Sequence, residues 1–134
     1  MRLVSILALA SLTGCATPAG KFTESDFVWS ERSIPITLSA ANYNLVKGFR
    51  SCSRVDVGHE DCLRAPDDSI VECDVYAGLA FTGDRSQIVI GRIEIKSQGD
   101  SVLVRSGKAI RMVTDTKVSK RWIDFAEGQT CASD

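Results

Sequence analysis

Histidine is almost absent from this chain: it has one, His59, so any imidazole-based catalyst must be built on that residue. No Gly-x-Ser-x-Gly elbow accompanies it, and a Ser/His/Asp or Cys/His catalyst is not expected. No glycine-rich phosphate loop follows a strand, and no dense run of oxygen ligands of the EF-hand type is present. Lysine and arginine are scattered without a basic stripe, and a formal net charge of -1 offers no phosphate-reading surface. Nucleic acid is therefore excluded as a partner. Long apolar runs are lacking too. Leu3 to Leu12 covers ten residues, whereas a bilayer needs about 20.

What is present at the front is ordered. Met1-Arg2 is a minimal basic start, the apolar run follows, and Leu12-Thr13-Gly14-Cys15 closes it with small residues and a thiol, the pattern of a secretory signal. This stretch resembles the lipobox of bacterial lipoproteins. The resemblance implies that Cys15 is lipidated, that the chain is cut before it, and that the new terminus is acylated, for example with palmitate. Residues 1–14 are then a signal peptide. One acyl chain holds a protein to a membrane only marginally, and two or more hold it stably, each buried methylene contributing ~0.8 kcal/mol. Ala16, in place of an aspartate after Cys15, implies an outer-membrane anchor facing the periplasm. Removal of residues 1–14 takes Arg2 with it, leaving 120 residues whose net charge of -2 lies one below that of the whole chain.

Five cysteines fit such an address. With Cys15 carrying lipid, Cys52, Cys62, Cys73 and Cys131 form an even set in a disulfide-permissive compartment. Their spacing leaves three connectivities open. The preferred one is Cys52–Cys131 with Cys62–Cys73, which closes one local loop and ties the C-terminal tail to the end of the first helix. A tetrahedral zinc set of Cys52, His59, Cys62 and Cys73 has the wrong spacing for common fingers, and exported thiols oxidise first. No catalytic residue, metal ligand or cofactor is expected.

A hydrophobic content of 44% with ordinary charge is globular composition. Residues 15–26, broken by Pro18 and Gly20, read as a flexible tether, and 27–134 as a single α+β domain. Phe27, Trp29, Ile34, Ile36 and Leu38 alternate with polar residues as a strand at a sheet edge, where Pro35 is tolerated. Ser39 then caps a helix from Ala40 to Cys52, whose apolar stripe is Ala41, Leu45, Val46, Phe49 and Cys52. Tyr43 is expected to pack beside that stripe, and Gly48 to weaken it mildly. Residues 53–69 carry no period and read as a long loop, with Glu60, Asp61, Asp67 and Asp68 as solvated turn acids.

Three strands in an antiparallel meander follow, over 70–81, 87–96 and 101–114, with turns at 82–86 and 98–100 and a bulge at Gly107. Thr116 caps a last helix carrying Val118, Trp122, Phe125 and Ala126, and Gly128 ends it. Lys117, Lys120 and Arg121 sit at its positive end, a mismatch with the dipole worth a few tenths of a kcal/mol each. The order strand, helix, meander, helix predicts both helices on one face of the sheet. It resembles the helix-grip or TATA-box-binding-protein-like layout of some small envelope lipoproteins.

Two function classes are consistent with these features. One is a non-enzymatic envelope lipoprotein whose domain engages another envelope protein through the 53–69 segment and the outer sheet face. The other is a carrier of a small apolar ligand held between helices and sheet, or an inhibitor of a cell-wall-directed enzyme. A filled helix–sheet interface favours the first, an empty apolar pocket of ~300 Å³ or more the second.

Overall fold

A computed structural model of the chain describes residues 22–78, 88–110 and 117–131. The lipobox, most of the tether, the strand end at 79–81, the turn at 82–86, Met112 and Thr116 lie outside the described residues. A short 3-10 turn (Glu24–Asp26) leads into β1 (Phe27–Ile34), followed by α1 (Leu38–Ser51) and the single-turn α2 (Arg54–Val57). Then come β2 (His59–Arg64), β3 (Ile70–Tyr76), β4 (Val89–Gln98), β5 (Ser101–Ala109) and α3 (Val118–Glu127). The fold is α+β: one five-stranded antiparallel sheet in the order β1-β5-β4-β3-β2, carrying two substantial helices.

The core follows from period-two burial in the strands meeting two helical stripes. Val71, Cys73 and Val75 of β3, Ile93 and Ile95 of β4, and Val102 and Val104 of β5 are all fully buried. They form one cluster with Leu38, Ala41, Leu45 and Phe49 of α1 and with Val118, Trp122, Ile123, Phe125 and Ala126 of α3. Both helices thus cover the same sheet face.

Two glycines make the close approach possible. A Cβ on Gly48 would strike the Phe125 side chain, and one on Gly91 would strike the Trp122 ring. Gly48 is therefore the contact point of α1 with α3 rather than a defect of the helix. Trp122 lies against the strand at Gly91 and donates its indole N–H to the Val57 carbonyl at 3.0 Å. Arg32 of β1 binds Asp124 and Glu127 of α3 at 2.8 and 2.9 Å, fastening the sheet edge to the helix.

Several expectations are corrected. The first strand stops at Ile34 rather than reaching Leu38. Pro35 removes a ladder donor, and the Ile36 N–H turns back onto the Ile34 carbonyl at 2.9 Å. Thr37, not Ser39, then caps α1, its hydroxyl accepting from the Ala40 N–H at 3.2 Å, so the helix starts at Leu38 and buries it. Tyr43 is 67% exposed and does not pack.

The supposed loop 53–69 holds α2 and β2, so four consecutive strands, not three, follow α1. An edge strand with little burial on either face needs no apolar alternation, which is why β2 shows none.

Register runs unbroken through Gly107, which pairs with Trp29 and Arg92. The glycine is there for room, since a Cβ would come within 2.9 Å of the Phe27 Cβ. The bulge lies instead between β3 and β4, where Val75 faces Gly91 and Tyr76 faces Val89. Ile90 is the extra residue, and it reverses the parity of the strand. Val89 consequently joins Phe27 and Ala109 in a second cluster, while Ile90 packs on the main core. Ile110, expected in phase with Val102 and Val104, is 56% exposed just past β5. Lys117 occupies the N-cap position of α3, and Gly128 ends the helix in the left-handed region at φ 111°, as expected.

Candidate interaction surface

The sheet face opposite the helices is built from the alternate residues of the same strands. Two cross-strand rows can be read directly from the register. Leu63, Glu72, Glu94, Arg105 and Glu31 form one, and Asp61, Asp74, Arg92, Gly107 and Trp29 the other. Directly opposed side chains lie close enough to interact, so each row works as a chain of pairs.

Arg105 is the hub of the first row. Its guanidinium reaches Glu94 at 3.1 Å, Glu24 at 2.9 Å and Glu31 at 3.7 Å, and lies 4.4 Å from the Trp29 ring centroid. The hydrogen bond to Glu24, followed by the neighbouring carboxylates and opposed by burial, raises its pKa above the ordinary arginine value. Arg92 does the same service in the second row, bound to Asp74 at 3.0 Å and placed 5.5 Å from the Phe27 ring. Around these cations Phe22, Phe27, Trp29 and Tyr76 form an aromatic end that closes over Val89 and Ala109.

Toward β2 the rows become acidic: Asp61 opposes Asp74 and Glu72 opposes Glu94. An open cleft of about 410 Å³ lies here, with Asp61, Glu72, Asp74, Glu94 and Arg92 among its lining residues. Leu63, 74% exposed, also lines it. The face therefore grades from aromatic at β1 to acidic at β2, which suits recognition by ion pairs and stacking.

Tyr76 sits at the meeting of the two ends. Burial, then the charges of Asp74 and Asp61, raise its phenol above the ordinary tyrosine value, with Arg92 opposing. The folded state thus holds the proton more tightly than the unfolded chain, so this contribution is intact below pH ~10 and is lost as pH rises through the folded value. In a phenolate absorbance titration Tyr76→Phe is expected to remove the later part of the rise. An unchanged late rise in that variant would refute the assignment.

Cys52 is bridged to Cys131 and Cys62 to Cys73, with Cα separations of 5.3 and 4.0 Å. The three thiols invoked for zinc, Cys52, Cys62 and Cys73, are thereby tied up in the two bridges, and His59 faces Tyr76 across β2 and β3. Among the described residues no group of three or more His, Cys, Asp or Glu is placed to hold a metal ion.

Glu60 and Asp61, read as turn acids, belong to β2. Asp67 accepts from the Ser69 hydroxyl at 2.6 Å and from its N–H at 3.1 Å, which lowers its pKa. Asp68 pairs with Arg64 at 2.7 Å. Cys15 lies outside the described residues. The roles of Arg92 and Arg105 were missed in the sequence. They are isolated basic residues in strands, and only cross-strand register brings the acids to them. Comparison with family models, with curated proteins and with solved structures returns no match.

Proposed function

We propose that this chain is a bacterial envelope lipoprotein, anchored through lipid on Cys15 at the outer membrane and facing the periplasm. Its α+β domain acts without catalysis as an interaction or structural module for another envelope protein. The observation that carries this reading is the order basic start, ten-residue apolar run, Leu12-Thr13-Gly14-Cys15. Support comes from the pairing of the other four cysteines in two bridges, which leaves Cys15 as the odd thiol. Disulfides of this kind persist in exported proteins.

The partner role is favoured over the carrier role by packing. Leu45, Ile93, Ile95, Trp122 and Val104, where helices meet sheet, are fully buried, so that interface is filled by side chains. The open cleft is on the other face, and in its lining Asp61, Glu72, Asp74, Arg92 and Glu94 outnumber Cys62, Leu63 and Cys73, which suits a protein surface better than an apolar ligand. In this reading the element order is of helix-grip type, the outer sheet face is the working surface, and residues 15–26 are the tether.

Cys15→Ser is expected to abolish acyl labelling and to shift the protein from the detergent-extracted membrane fraction to the soluble envelope fraction. Retention of label and of membrane recovery in that variant would defeat the proposal. Affinity purification of the native protein from intact envelopes identifies the partner.

A further inference from the structure

We infer that β2 is a self-complementary edge at which two copies of this chain join their sheets about a two-fold axis through Cys62. The inference stands on the geometry of β2 and does not depend on the anchoring read for Cys15. β2 ends the sheet, and among the described residues no strand pairs with its outer side. Such an edge presents a row of open backbone donors and acceptors.

Which groups are open follows from the register. Cys62 and Cys73 face each other with Cα atoms 4.0 Å apart, the narrow spacing of a pair that exchanges no backbone hydrogen bonds. The Ala65 N–H bonds to the Ile70 carbonyl at 2.9 Å, so the odd-numbered residues of this strand bond inward. The N–H and C=O groups of Glu60, Cys62 and Arg64 therefore point outward.

A second copy can satisfy them in few ways. Directly opposed residues of an antiparallel pair share a face, so a two-fold pairing of β2 with itself must be centred on a residue. Centring on Glu60 or Asp61 sets like carboxylates against each other, which is unfavourable. Centring on Leu63 leaves Glu60 opposite Pro66, which has no N–H to donate. Centring on Cys62 engages every outward group of the strand, and it places Glu60 opposite the copy's Arg64 at both ends.

The side chains suit that register. Arg64 uses its Nε on Asp68 at 2.7 Å and one Nη on Ser39 at 2.9 Å, and the guanidinium keeps further donors for a carboxylate across the edge. Leu63, 74% exposed, would lie opposite the copy's Asp61 with its methyl groups turned to the outer face. The contact is short, so the dimer is weak and concentration-dependent, with a Kd of roughly 10–100 μM.

Sedimentation velocity on the full chain over that concentration range tests this. The native protein is expected to shift from monomer to dimer. Glu60→Arg and Arg64→Glu are each expected to weaken association roughly tenfold or more, with folding checked by circular dichroism. Mixing the two variants restores it, because each then meets the opposite charge at both ends of the strand. A native chain that stays monomeric throughout, single variants that dimerise like the native chain, or a mixture that stays monomeric would each overturn the inference.

Discussion

Replacing Trp122 with alanine is expected to lower the unfolding free energy by about 3–5 kcal/mol, the usual cost of deleting a large buried aromatic. That is a large part of the ~5–15 kcal/mol that holds a typical domain together. The ring is fully buried, rests against Gly91, lies 6.3 Å from the Phe49 ring centroid, and donates to the Val57 carbonyl. Alanine leaves a cavity where α3 meets the sheet and also strands a buried carbonyl.

Trp122→Phe separates the two losses. It keeps an aromatic ring but has no donor for Val57, so its cost is expected to be smaller, about 1–3 kcal/mol. Urea unfolding followed by far-ultraviolet circular dichroism measures both variants, with the midpoint falling and the slope unchanged. A loss below about 1 kcal/mol for the alanine variant would mean that α3 does not depend on this contact.

The second large effect is expected from Cys52→Ala with Cys131→Ala. The bridge spans 79 residues of sequence, and the entropy of closing so long a loop in the unfolded chain corresponds to roughly 4–5 kcal/mol. The folded state loses little in exchange. The Cys131 N–H still reaches the Ser51 hydroxyl at 2.9 Å, and that hydroxyl still donates to the Gly48 carbonyl at 2.7 Å. The penalty should therefore appear as a lower melting temperature with the native circular dichroism spectrum retained below it. A melting temperature within a degree or two of the parent would show that the tail is held by its packing and hydrogen bonds alone.

The sequence and the structure agree where a buried face demands regular spacing. The alternation of Val71, Cys73 and Val75, the stripe of Ala41, Leu45 and Phe49, and the set Val118, Trp122, Phe125 and Ala126 each appear in the expected element. Cysteine parity called for two bridges, and the preferred pairing is the one found. Disagreement concentrates where burial is weak. β2 has little apolar cover and so no period, and Ile36 sits in a turn because the chain must leave the sheet after Pro35.

The candidate surface was the least legible part. Arg92 and Arg105 become ion-pair centres only because β4 and β5 lie beside strands that carry Asp74, Glu94 and Glu31. Arg105 and Glu24 are 81 residues apart in sequence. No local pattern encodes such a pair.

From the residues alone came the α+β class, the inward faces of most strands and helices, the expectation of two bridges among four cysteines and the Cys15 lipobox resemblance, because each depends on residue count, local spacing or short ordered patterns. The tertiary structure alone decided which strand closes the sheet, where the bulge reverses β4, and which charges meet on the outer face. Those outcomes depend on register between distant segments. Register is settled by cross-strand fit over the whole sheet, a quantity that no single stretch of sequence contains.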